Sequence, residues 1–258
     1  MIPKVIHWCW FGRGKVPSLA KKCIKSWKKI LPDYEIKLWN EDNFDIESNA
    51  YVSEAYHARK FAFVTDYVRL YALYHEGGIY MDSDVEVLKR IDRFLEFPAF
   101  TGYEDQKPES CITGIMGSER GGAWVKALLD EYEDRHFILP DGRMNTTTNV
   151  QYTAALMKSK GMRLDCTEEH VSGFISLFPR EYFCPKAWNT GKFTFTDDTY
   201  TIHHFSGSWW DRRSWWIRWA DNHYGPRVAY YVGYFWRPPR VVVAGLWAAL
   251  KRRLNFNP

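Results

Sequence analysis

The sequence predicts an α/β protein built on a mostly parallel central sheet flanked by helices. Two observations carry that expectation. The chain opens strand, helix, strand over residues 2–10, 19–30 and 34–39, the unit from which parallel sheets with helical faces are made. Further on, a long stretch free of Pro and Gly (Ser53–Glu76) runs into Gly77-Gly78 and then into the apolar run Ile79-Tyr80-Met81. Glycine commonly closes a helix, so this reads as a helix handing over to a buried strand. At 258 residues the chain can bury such a sheet without disulfide or metal staples.

Each element has local grounds. IPKVIHWCW (2–10) is rich in β-branched and aromatic side chains, as buried strands are. Gly12, Gly14 and Pro17 mark a loop, and Ser18 is placed to cap the helix that follows. Pro32-Asp33 turns the chain, and YEIKLW (34–39) alternates as a short strand. Within 53–76, Ala62, Val64, Val68, Leu70, Ala72 and Leu73 give broad apolar coverage. Strand-like alternation resumes at 85–88, and residues 98–118 read as strand and loop, with turns at Gly114, Gly117 and Gly121-Gly122. A helix is expected from Ala123 to Arg135, and another opens at the cap-rich NTTTN (145–149) and runs to Ser159. Short strands are expected over 174–205, ending in YTIHHF. The expected division is a catalytic body over 1–215 and a basic, aromatic, partly helical extension over 216–258.

Composition narrows the class. Hydrophobic residues make up 46% and charged residues 26%, ordinary for a globular protein. Aromatics reach 17%, which serves either core filling or stacking against ring-shaped ligands. Cys9, Cys23, Cys111, Cys166 and Cys184 are odd in number and never form C-x-x-C. They read as buried free thiols of a reducing compartment, not as a disulfide framework or zinc site. The start runs straight into a strand, and no run of about 18 apolar residues appears, so neither a leader nor a spanning helix is expected.

The net charge of +4 is uneven: from Asp211 onward nine Lys/Arg face two Asp, a local +7, leaving −3 on the rest. These arginines alternate with Trp and Tyr. That mix suits an anionic membrane surface, or equally aromatics packed inward with solvated arginines. No nucleic-acid recognition motif accompanies the charge, so nucleic acid is not an expected partner. The expected localisation is cytoplasmic, with the extension peripheral on the inner face of the plasma membrane.

Asp82-Ser83-Asp84 is the central chemical signal. In a strand, residues i and i+2 share a face, and two carboxylates there repel each other and resist desolvation. A divalent cation relieves both, since Mg²⁺ and Mn²⁺ take carboxylate oxygens together with substrate phosphates. A bare D-x-D is common by chance; its place after an apolar strand adds weight, because open α/β sheets bind ligands at strand carboxyl ends. Asp66 and Arg69 share a helix face three residues apart, which from spacing alone suits a surface ion pair. His203 and His204 end another expected strand and point to opposite faces, so at most one meets a given metal.

FAFVTDYVRLYALYHEGGIYMDSDV (61–85) resembles the signature of glycosyltransferase family 32, the group with a DXD sugar-binding region. That group includes fungal mannosyltransferases and bacterial capsular-polysaccharide enzymes, and is more distantly similar to the glucosyltransferase domains of large clostridial toxins. IPKVIHWCWFG, SWKKILPDYEIKLWNEDNFD (26–45) and HHFSGSW (203–209) also resemble the bacterial members. The resemblance spans residues 2–210.

It implies a GT-A fold and a retaining, metal-dependent transferase. The donor would be a nucleoside-diphosphate sugar, UDP preferred, and the acceptor a glycan or lipid-linked saccharide, as in surface polysaccharide synthesis. Asp82 and Asp84 match the acids that hold Mn²⁺ or Mg²⁺, Asp84 as the direct ligand, and His204 matches a third ligand. Asp66 and Arg69 match positions contacting donor sugar and phosphate, and Trp8 a region packing on the nucleobase. Ser83 falls between the metal acids on the donor side, and Ser208 and Trp209 match a segment closing over the diphosphate. Asn149 and Gln151 are assigned to the acceptor side. Two rival classes share some features: a metal-dependent hydrolase of nucleotide sugars or phosphoesters, and a non-catalytic carbohydrate-binding module.

Overall fold

The computed structural model describes residues 1–206 except 108, 109, 112, 113 and 189. The basic extension, Ser208 and Trp209 lie outside the described residues. In chain order the strands are β1 (Val5–Cys9), β2 (Glu35–Trp39), β3 (Gly78–Met81), β4 (Val85–Val87), β5 (Ala99–Gly102), β6 (Ile115–Ser118), β7 (Glu169–Val171), β8 (Ile175–Phe178) and β9 (Thr201–His203). The helices are α1 (Ser18–Ile30), α2 (Ala50–His57), α3 (Phe61–Glu76), α4 (Ala123–Asp130), α5 (Asn149–Ser159) and the short α6 (Arg180–Phe183).

Seven strands form one sheet in the order β2-β1-β3-β6-β5-β8-β7, while β4 and β9 pair separately. β1 runs parallel to β2 and β3, and β5 parallel to β8. β6 is antiparallel to both its neighbours and β7 to β8. Five of the seven strands therefore point one way, the mostly parallel sheet expected.

Two apolar cores sandwich this sheet. One gathers Tyr51, Val64, Val68, Leu73, Trp124 and Leu128 from α2, α3 and α4; the other gathers Trp27 of α1 with Ile91, Phe94, Phe178 and Phe183. Alternation along β3 feeds both: Tyr80 joins the α3 side, Ile79 and Met81 the α1 side. Buried His7 fastens the centre. Its Nδ1 accepts from the Trp39 indole at 3.0 Å, which leaves Nε2–H to donate to the Gly77 carbonyl at 2.7 Å. Burial accordingly pushes its pKa down and keeps the ring neutral.

The expected single helix over 53–76 is two. α2 ends in a Schellman turn: Arg59 sits at φ +58°, its N–H reaches the Tyr56 carbonyl, and Lys60 N–H reaches that of Ala55. Arginine replaces the usual glycine there, so composition gives no break signal. At the other end of α3, Gly77 and Gly78 adopt φ +71° and +108°, and a Cβ on Gly78 would lie 2.6 Å from the Val5 carbonyl oxygen. Only glycine lets β3 enter the sheet at that angle. The helix expected over 123–135 stops at Asp130, and β7 and α6 were not expected. All five cysteines are free; four are buried and Cys166 is half-buried. No helix among the described residues is long and apolar enough to cross a membrane.

Candidate active site

The acidic residues gather beyond the carboxyl ends of parallel strands, where ligands bind in open α/β sheets. Asp82 follows β3 and Glu104 follows β5, while Asp66 and Arg69 come from the α3 face above β3. The D-S-D stretch is not extended strand as expected. β3 stops at Met81, and Val85 N–H returns to the Asp82 carbonyl at 3.0 Å, closing a turn. The two carboxylates still converge, because the turn aims both at one imidazole. Half-buried Ser83 is the middle of that turn.

The imidazole belongs to His203. Its Nε2 lies 3.4 Å from Asp84 and 3.8 Å from Asp82, and its Nδ1 3.3 Å from Glu104. One ligand atom each from Asp82, Asp84 and His203 lie within 4.8 Å of one another. This corrects the expected third ligand. His204 turns the opposite way, 2.8 Å from Glu86, which also holds Lys22 at 3.0 Å. The cause is strand alternation fixed by register: β9 pairs antiparallel to β4 with Val85 opposite His203, so His203 faces the carboxylates and its neighbour faces α1. Gly114 makes the room, since a Cβ there would sit 2.9 Å from His203 Nδ1.

Asp84 is anchored further along the same segment. Phe205, at φ +53°, turns the backbone so that Ser206 N–H donates to Asp84 Oδ2 at 2.6 Å, while its ring lies 4.1 Å from that of His203. A bulky residue with positive φ is an uncommon, costly geometry that site-building segments retain. Half-buried Lys186 donates to the His204 carbonyl at 2.7 Å, bringing a cation to the edge of the group.

Arg69 organises the other side. Its guanidinium lies 3.0 Å from Asp66 and 3.5 Å from Asp82, and covers the Tyr80 ring at 4.5 Å. Tyr80 in turn donates to Asp82 Oδ1 at 2.6 Å. All three charged groups are largely buried, so the Asp66–Arg69 pair is not the exposed ion pair that spacing alone suggests.

Electrostatics split the carboxylates. Burial pushes Asp66 up to about 6, with Arg69 opposing and Asp82 adding to the rise. Asp82 is raised for the same first reason, burial, against the pull of Arg69 and His203. For Asp84, burial is outweighed by His203 and the Ser206 N–H, which hold it well below the usual carboxylate range. Burial alone would lower His203, yet Asp84 and Glu104 raise it well above an ordinary imidazole. The protein thus keeps a proton where negative charge concentrates. Ligation of a cation by that nitrogen requires the proton to leave.

The remaining expected residues are placed differently. Trp8 is 7% exposed and meets Trp27 edge-on, a core contact on the α1 side. Asn149 accepts from the Tyr132 hydroxyl and donates to the Asp66 carbonyl at 2.7 Å, so its amide ties α5 to α3. Gln151 closes a capping box with Thr148 at the start of α5. Asn149 engages both ends of its amide in these contacts, whereas exposed Gln151 engages its Oε1 in the cap. His203 was weighed against His204 and passed over; the residues the sequence reading missed are Glu104, Gly114, Tyr80 and Lys186. Tyr80 alone had a usable local signal, on β3 two positions before Asp82.

Two carboxylates and an imidazole thus converge beyond the end of a central α/β strand. Residues 17–101, about a third of the chain, match a family model described as glycosyltransferase sugar-binding region containing DXD motif. The chain carries Asp66, Arg69, Asp82 and Asp84 within that matched stretch. It is 25% identical over 229 residues to inositol phosphoceramide mannosyltransferase 2 of Schizosaccharomyces pombe, covering 86% of this chain and 62% of that protein. It is 26% identical over 164 residues to mannosyl phosphorylinositol ceramide synthase SUR1 of Saccharomyces cerevisiae, covering 61% of this chain and 42% of that one. The chain spans less than two thirds of either relative. Among solved structures it is similar to PaToxG glycosyltransferase, at 20% identity and a TM-score of 0.43, over 61% of this chain and 70% of that one.

Proposed function

We propose that the protein is a retaining, metal-dependent glycosyltransferase that moves a hexosyl group from a nucleoside-diphosphate sugar to a glycan or lipid-linked acceptor. The observation that carries this reading is the convergence of Asp82, Asp84 and His203 within 4.8 Å at the carboxyl end of β3. Two carboxylate oxygens and one imidazole nitrogen form a donor set suited to Mn²⁺ or Mg²⁺, and the charge balance fits, because these acids outnumber the cations beside them. A bound divalent cation supplies electrostatic stabilisation of the charge that grows on the departing diphosphate.

The chain's own residues do the rest. Arg69 fixes Asp82 and Asp66 in place, and Ser206 N–H fixes Asp84. The Asp66–Arg69 pair borders the sugar. The acceptor hydroxyl attacks the anomeric carbon from the face the diphosphate leaves, the carbon–oxygen bond to phosphate breaks, and the hydroxyl proton passes to the leaving phosphate oxygen.

The named activities of the fungal relatives support mannose as the transferred sugar and a phosphoinositol lipid as an acceptor class. The bacterial resemblance supports a UDP-sugar and surface polysaccharide instead. In either case a basic C-terminal extension against an anionic membrane would bring the enzyme to its acceptor. A panel of UDP- and GDP-sugars with Mn²⁺, assayed for released nucleotide with and without acceptor lipid or glycan, tests the reading. Acceptor-dependent release from one donor supports it; no release from any donor with any acceptor overturns it.

A further inference from the structure

α3 carries a second chemical face. Tyr67, Tyr71 and Tyr74 follow at i, i+4 and i+7, a stripe turned away from Asp66 and Arg69 on the same helix. Behind the stripe, Tyr71 packs edge-on against Phe44 at 5.2 Å and Trp39 at 6.0 Å, and Tyr67 against Tyr132 at 5.4 Å. In front, the stripe lines a cleft of about 200 Å³ closed by α4. The three rings are half-buried, while His75, Lys126, Asp130 and Glu133 on its rim are exposed. Packing therefore holds the rings rigid while leaving part of each ring uncovered.

The chemistry of the lining selects a ligand class. Aromatic faces take up the C–H face of a sugar ring, and hydroxyls, imidazole and carboxylate at the edge bind its hydroxyls. Among the described residues, the hydroxyls of Tyr67, Tyr71 and Tyr74 have no protein hydrogen-bond partner within range, and Glu133 forms no ion pair. Lys126 is paired with Asp130. Glu133 and Asp130 on the rim disfavour an anion, and the Lys126 ammonium disfavours the cation that an aromatic cage would otherwise attract. The cleft is smaller than the roughly 300–1,000 Å³ usual for drug-sized ligands and of the order of one sugar ring.

We propose that this cleft is a second carbohydrate subsite, separate from the donor site, that holds a neutral hexose unit of a glycan. It stands independently of the metal-site reading, since it shares no side chain with the carboxylate group.

The test is saturation-transfer NMR on the full chain with mannose, glucose and galactose di- and trisaccharides, in chelator and without nucleotide. The expected result is millimolar binding of at least one saccharide that persists when UDP and Mn²⁺ are added. A Tyr74→Phe/Glu133→Gln double variant, which removes only edge groups, should bind about tenfold more weakly with an unchanged melting temperature. Three results overturn the proposal: no saturation transfer to any saccharide, displacement of the saccharide by UDP and Mn²⁺, or unchanged affinity in the double variant. Choline binding in place of sugar would likewise reassign the cleft to a cation.

Discussion

The two ends of the sheet handle charge in opposite ways. At the amino end, Lys4 reaches Asp33 at 2.6 Å and Asp92 at 2.8 Å, while Arg90 reaches the same two at 2.9 and 2.7 Å. Two cations and two carboxylates close on each other at the surface. At the carboxyl end, Asp66, Asp82, Asp84 and Glu104 crowd around one guanidinium and one imidazole, largely out of water. The first set is complete in itself. The second leaves negative charge over, and its carboxylates respond by drifting apart in pKa. A cluster that its own chain does not neutralise is built for something that arrives later.

The sharpest way to break this contrast is at the carboxylates. Asp84→Asn or Asp82→Asn should reduce transfer by roughly 10³-fold, with circular dichroism unchanged and Mn²⁺ binding lost by calorimetry. Wild-type turnover in either variant would sink the metal reading. Next in size is Arg69→Met, which leaves buried carboxylates unpaired. Breaking a buried pair costs about 3–5 kcal/mol, read from urea denaturation at pH 7; an unchanged midpoint would mean that Asp66 and Asp82 need no partner.

Asp66 adds a pH signature. Its folded pKa is raised to about 6 from an ordinary 3.8, so the folded state binds more protons between these values. Stability should fall as pH climbs from about 4 to 6, by up to about 3 kcal/mol at 1.36 kcal/mol per unit, and then level off. Asp66→Asn should flatten that slope while lowering activity. A slope equal to wild type would place the titration elsewhere.

Gly114→Ala should displace His203 and weaken Mn²⁺ binding and turnover by about tenfold to a hundredfold, with little change in melting. The smallest effect belongs to the closed cluster. Asp33→Asn should leave turnover untouched and alter melting only slightly, most at low salt, because exposed ion pairs contribute little.

These contrasts show what the sequence could disclose. Asp82, Asp84, Asp66 and Arg69 were legible because they lie close together in one continuous stretch whose pattern is distinctive. The choice between His203 and His204 was not legible. β9 is three residues long, and its phase is set by pairing with β4, more than a hundred residues upstream. Glu104 and Gly114 enter the site only because β6 inserts antiparallel between β3 and β5, an order no local pattern announces. The break at Arg59 stayed hidden because the residue in the left-handed turn was not glycine. Trp8, Asn149 and Gln151 had the right types for ligand contact, and packing or capping claimed them first.

The β4–β9 pairing also sets an order of assembly. It brings Val85 against His203 across more than a hundred intervening residues, a closure whose entropy cost grows with the loop it spans. A ribosome must therefore deliver nearly all of residues 1–206 before His203 can meet the aspartates. Until β9 docks, the acids stand without that imidazole. The contact between imidazole and aspartates is then a late one in the assembly of residues 1–206, and among the first that local unfolding of β9 would remove.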